Sequence, residues 1–181
     1  MDACQEQFLK DELFSLTLMA TVQRAHVYSA QCGEKQRKKF QARLRSELEK
    51  TSEAYADHVT EEAHIRSIVD LSNRLTSAHA NALNNKRFRI GTAQKTLNLY
   101  LKYLWCLGKI PPPPHCPFDF QIIKKLRHHY TGPSWTILDC EQDYRELVEA
   151  AKVEAGGSSL AVWELQTYNN FMDAYKRQNN A

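Results

Sequence analysis

Apolar residues along this chain recur at intervals of three and four and never settle into sustained alternation with polar ones, so the pattern supports helices and gives strands little footing. Only six glycines and six prolines punctuate the 181 residues, and four of the prolines form one run, Pro111 to Pro114. The expected fold class is therefore all-α, a compact single-domain bundle of about six to seven helices spanning residues 1–181. A chain of this length can enclose one core.

Three helices are expected within residues 1–83. The first runs from about Gln5 to Ala30, with Phe8, Leu9, Leu13, Leu16, Met19, Ala20 and Val22 at the spacing of one helical face. Gly33 breaks that pattern, and Glu34 to about Tyr55 reads as a charged helix with a narrow stripe of Phe40, Leu44 and Leu48. Thr60, followed by Glu61 and Glu62, looks like the N-cap of a third helix that turns Ile65, Ile68, Val69, Leu75, Ala82 and Leu83 inward.

Residues 84–129 form a basic, hairpin-like core segment. From Leu71 to Phe118 there is no aspartate or glutamate, while Arg74, Lys86, Arg87, Arg89, Lys95, Lys102 and Lys109 all fall inside that window. The modest net charge of +3 thus hides a cationic middle, which would attract a polyanion or an acidic protein surface by its summed field. Asn84, Asn85 and Gly91 bracket a connection, after which Thr92 is expected to cap a helix running to about Leu107. On that helix Ala93, Leu97, Tyr100, Leu101 and Leu104 share one face, and Lys95, Asn98, Lys102 and Lys109 line the other as a basic stripe. The proline run must be extended chain, and Asp119 opens a short helix ending near His129. Residues 130–181 hold the C-terminal helices. Asp139 with Gln142 reads as a capping box for a helix to about Ala155, Gly156 to Ser159 make a break, and a last helix reaches about Arg177 before Asn179, Asn180 and Ala181 fray.

The most specific local pattern joins Gly91, Lys95, Thr96 and Asn98 to Pro117, Phe118 and Asp119. Across residues 89–122 it resembles the helix-hairpin-helix DNA glycosylase/lyase superfamily, in which a glycine-containing hairpin precedes a helix with an early nucleophilic lysine, and an aspartate stands at a later helix start. By that resemblance Gly91 matches the hairpin glycine, Lys95 the lysine that attacks the sugar carbon bearing a damaged base, and Asp119 the carboxylate that assists base loss and stabilises the cationic sugar. Ala93 stands where a second hairpin glycine belongs, Arg89 and Ile90 replace a leucine and a proline, and the 24-residue step from Lys95 to Asp119 is longer than the family's usual one. Independently of any family, a lysine in the first turn of a helix is disfavoured as an ammonium, and burial pushes it further toward the free amine that nucleophilic attack needs. The alternative left open is that Lys95 belongs to a solvated stripe and Asp119 only caps its helix.

Nucleic-acid binding demands less of the residues. Lys86, Arg87, Arg89, Gly91, Asn98 and Lys102 supply side chains and amides that suit phosphates, and the interleaved Phe88, Tyr100, Tyr103 and Trp105 suit base stacking. A third pattern, Arg74 and His79 on one helix, resembles the catalytic motif of HEPN ribonucleases, in which the histidine is the acid or base and the arginine holds the phosphate. Cys106, His115 and Cys116, with His128 and His129 downstream, lack the paired spacing of a structural zinc site, so no metal and no cofactor is expected. The five scattered cysteines read as reduced thiols. With no apolar run long enough to span a bilayer and no secretory signal, the expectation is a cytoplasmic protein without membrane contact. The leading reading is a nucleic-acid-binding helical protein, with DNA as the expected partner and glycosylase/lyase chemistry on damaged or abasic DNA as the activity the resemblance implies. The alternatives are a non-enzymatic helical adaptor for an acidic protein and a HEPN-like ribonuclease.

Overall fold

The computed structural model describes residues 2–179, and the fraying expected at Asn180 and Ala181 lies outside them. Among the described residues there are seven α-helices and no strands: α1 (Ala3–Leu18), α2 (Glu34–Ser52), α3 (Glu61–His79), α4 (Ile90–Cys106), α5 (Phe120–Lys125), α6 (Glu141–Ala155) and α7 (Leu160–Asn179). None is long and apolar enough to cross a membrane. One apolar cluster runs from Val22 on the N-terminal side to Trp163 on α7 and takes in residues of every helix after α1.

The amphipathic helices follow their sequence stripes. Phe40, Leu44 and Leu48 of α2 are fully buried, as are Ile68, Leu71 and Leu75 of α3, and the Thr60 hydroxyl accepts the Ala63 amide as expected of an N-cap. Asp119 likewise caps α5, its Oδ1 accepting the amides of Gln121 and Ile122 at 2.9 and 3.1 Å. Gly156 ends α6 at φ 57°, a left-handed position that glycine takes at no steric cost.

Several expectations need correction. The first helix does not continue to Ala30. The Thr17 and Thr21 hydroxyls bond back to the carbonyls of Leu13 and Thr17, a π-helical turn over Met19–Gln23 follows, and residues 27–29 then pair with 82–84 through Ser29 N to Ala82 O (3.0 Å) and Asn84 N to Val27 O (2.7 Å). Much of the apolar side of α1 is also uncovered, Phe8 being 62% exposed. The central helix starts at Ile90 rather than after Thr92, which is buried inside it. Finally, α6 starts at Glu141 with Cys140 at its N-cap and no side-chain cap, because Asp139 is engaged elsewhere.

Helix α4 is the bundle's axis. It meets α1, α2, α3 and α6, and every residue from Ile90 to Asn98 is buried. The first half of the basic stripe expected on its solvated face, Lys95 and Asn98, is therefore turned inward, while Lys109, past the helix end, is exposed. The inward polar groups find partners in protein rather than in water, as burial requires.

Candidate active site at Lys95 and Asp119

Polar residues one turn apart on α4 grip the chain that leads to α5. Gln94 donates its Nε2 to Phe118 O at 2.8 Å and accepts the Phe118 amide at 3.2 Å, mimicking a strand partner. Asn98 donates to Cys116 O at 2.9 Å. Residues 116–118 are thereby hung on α4, and the next residue is Asp119. With its Oδ1 committed to the cap of α5, its Oδ2 lies 3.9 Å from Lys95 Nζ. The two residues assigned to catalysis on sequence grounds are side by side, although 24 positions apart.

Lys95 is 4% exposed, and its Nζ sits 4.1 Å from the centre of the Trp135 ring. Burial lowers its pKa from an ordinary 10.5 to about 8, against the opposing pull of the Asp119 carboxylate, and the Arg24 charge adds to the lowering. The helix dipole is not the cause, since Lys95 is the sixth residue of α4 and the dipole's influence fades beyond the first turn. At 3.9 Å the carboxylate neighbours the amine without a hydrogen bond.

The residues assigned to nucleic-acid contact are disposed differently. Arg87 is paired with Asp139 at 3.1 Å and bonded to Asn73, and Arg89 donates to Thr136 O at 2.9 Å. The Gly91 amide donates to Leu138 O at 2.8 Å, and an added Cβ would lie 2.0 Å from Trp135 O, so only glycine fits there. Asn98 is fully buried, and Lys102 is bonded to both oxygens of Glu164 at 2.7 and 2.9 Å. Neither Gly91 nor Asn98 faces solvent. Of the seven cations of the acid-free window, Arg74, Arg87, Lys95 and Lys102 pair with carboxylates. Lys86 and Lys109 are exposed, with no ion pair among the described residues. The cationic block is thus neutralised in large part from inside the fold.

Arg74 binds Glu47 at 2.8 Å, and His79 stacks edge-on against Phe40 with ring centres 5.6 Å apart. Both therefore have structural partners. Cys106 is exposed while His115 and Cys116 are buried, and no group of three or more His, Cys, Asp or Glu among the described residues could hold a metal. Sequence reasoning did not find Trp135 as the cover of Lys95, nor the Gln94 and Asn98 clamp. A usable signal for the clamp was present: amides four apart, Gln94 and Asn98, on a helix with apolar Ala93, Leu97 and Leu101 beside them. No family model, curated protein or solved structure matches the chain.

Proposed function

We propose that this chain acts on DNA as a glycosylase/lyase-like enzyme, with Lys95 as the amine nucleophile and Asp119 as its carboxylate partner. The reading is supported by one observation above the others: a nearly unexposed lysine, its pKa lowered to about 8, stands 3.9 Å from a carboxylate whose other oxygen is fixed by a helix cap. A free lysine in a helical bundle has no structural need of such a setting. A lysine that must be neutral to react does.

On damaged DNA the neutral Lys95 amine would form a bond to the sugar C1′ while the glycosidic bond breaks and the base leaves with its electron pair. Asp119 would take the proton that the amine then sheds, and opening of the sugar ring would give an imine. On abasic DNA the amine would condense with the C1′ aldehyde, expelling water, to reach the same imine. Gln94 and Asn98 would serve as positioning residues, because they hold the 116–118 segment and so place Asp119. Of the cations in the acid-free window, Lys86 and Lys109 remain for phosphate contact.

Borohydride trapping on abasic DNA tests this reading. The wild type should give a covalent protein–DNA adduct whose rate climbs as pH rises toward about 8, and Lys95→Ala should give none. Failure of the wild type to form an adduct on abasic DNA, under conditions where it binds that DNA, removes the lyase reading.

A further inference from the structure

Residues 130–140 lie across the start of α4 as a strap. The amides of Ile137 and Leu138 both donate to Ser134 O, which folds the strap into a tight turn, and Trp135 and Leu138 are its buried anchors. The Trp135 ring covers the Lys95 amine. The outer edge is fastened by donors at the start of α4: Arg89 to Thr136 O, the Gly91 amide to Leu138 O, the Ile90 amide to Asp139 Oδ1 at 3.1 Å, and Arg87 Nε to both Asp139 oxygens.

Asp139 is diverted from its local role to make these contacts. Its sequence position suits a cap for α6, yet α6 has no side-chain cap and the carboxylate reaches instead to α4 and Arg87. When a strong local preference is overridden in this way, the contact that wins is the one the molecule depends on. Here the winner is a carboxylate that occupies a guanidinium and a helix-start amide. Those same donors suit a phosphate, and an oxygen of one ligand excludes the other.

We propose that the strap is a closed lid over Lys95, latched by Asp139, and that a DNA phosphate opens it by taking over the Arg87 and Ile90 donors. This rests on the reading of Lys95 as the reactive amine. In the closed state a sugar carbon cannot meet that amine, because Trp135 fills the space above it. Lifting Trp135 frees the amine, and the Gln94 clamp is bonded to Phe118 rather than to the strap. Binding and exposure of the nucleophile are thereby one event.

Two measurements on the full chain test the lid without requiring catalysis. The first is acetylation of Lys95 by an N-hydroxysuccinimide ester, mapped by peptide mass spectrometry with exposed Lys86 as the internal standard. Asp139→Asn should raise Lys95 labelling by about tenfold over the wild type, since the latch holds the closed population in large excess. Equal labelling in two natively folded proteins overturns the proposal. The second uses the unmodified protein, so it decides the matter even if Asp139→Asn does not fold. Amide exchange across residues 133–139 should quicken when a short duplex bearing a tetrahydrofuran abasic analogue is added, and unchanged or slower exchange overturns the phosphate trigger. A lid without lyase chemistry would show the labelling change and no borohydride adduct. Lyase chemistry without a lid would show the adduct and neither change.

Discussion

Two lysines on one face of α4, seven residues apart, have opposite surroundings. Lys102 reaches Glu164 with hydrogen bonds to both carboxylate oxygens at 2.7 and 2.9 Å, while Lys95 stands 3.9 Å from a single oxygen of Asp119 under an indole ring. Glu164 is itself buried, and burial raises its pKa in spite of Lys102. That pair closes on itself. Asp119 spends its better-placed oxygen on a helix cap, so Lys95 is left partnered by proximity alone. Same residue type and same helix thus yield one lysine bonded to both oxygens of a buried carboxylate and another, more deeply buried, whose amine burial pushes toward release against the pull of Asp119.

The largest expected effect lies in reactivity. Lys95→Ala should cut borohydride adduct formation on abasic DNA by about a hundredfold or more, because no second amine occupies that position. Replacing the other pair together, Lys102→Met with Glu164→Leu, should leave the adduct within about threefold, since a closed ion pair can be exchanged for apolar groups of similar volume with little cost. If the double variant loses the adduct as completely as Lys95→Ala, the two lysines are not divided in role.

Stability should separate the pairs in the reverse order. Glu164→Ala strands the Lys102 ammonium among buried groups and should cost about 3 kcal/mol in urea denaturation. Asp119→Asn keeps a capping side chain and leaves behind a lysine that gives up its proton readily, so it should cost about 1 kcal/mol or less. Equal losses would mean that the 3.9 Å contact holds the fold as firmly as the 2.7 Å one.

Much of the bundle was legible in the sequence because α2 and α3 each have one wet side, which prints a stripe of Phe40, Leu44 and Leu48 or of Ile65, Ile68 and Leu75. Helix α4 has no wet side over its first half. A wheel reads Lys95, Asn98 and Lys102 as a solvated stripe, since it cannot tell water from the backbone of residues 116–118 as the partner of an amide. Asp139 failed for a related reason. Its capping signal is local, whereas the Ile90 amide and Arg87 that claim it are about fifty positions away. Phe8 shows the opposite error, an apolar residue at helical spacing with nothing packed over it. Of the site, the Lys95 and Asp119 pairing was visible only through a motif resemblance. Nothing local to Trp135 says that its ring lies over Lys95, forty positions earlier.

Smaller, and opposite in sign to the usual mutation, is the effect of Lys95→Met. Burying an ammonium costs the folded state, so this change should stabilise the protein by about 2 kcal/mol near neutral pH while abolishing the adduct. The sign follows from the lowered pKa. Between about 8 and the ordinary 10.5 the unfolded chain holds a proton that the folded chain has lost, so wild-type stability climbs with pH through that window. The variant has no such climb, and its advantage should shrink to nothing as the window is crossed. A variant less stable than the wild type at neutral pH would show Lys95 to be a structural residue.

The gentlest test extends the comparison inward, to a place where charge is tolerated even less. His64 and His115 meet edge to ring at 4.6 Å with no exposed surface, each paired through Nδ1 with a tyrosine hydroxyl, Tyr55 at 2.6 Å and Tyr144 at 2.7 Å. Burial lowers both pKa values. His115 adds repulsion to His64, while Glu61 and Glu149 favour a charge on His115 and Lys152 disfavours it. Below an ordinary pKa of 6.5 the unfolded chain takes up protons that the folded chain refuses, so stability should fall as pH falls. Each histidine should contribute up to about 1.4 kcal/mol per pH unit, and His64→Gln should remove its share of the slope in denaturation curves taken between about pH 5 and 7. Glu61 does not confuse the reading, because His115 at 3.8 Å and the Lys152 ammonium bonded at 2.8 Å hold its pKa down at about 2, well below that range. A slope unchanged by His64→Gln would mean that this core admits a proton, and burial alone would then not explain why the Lys95 amine sheds one so readily.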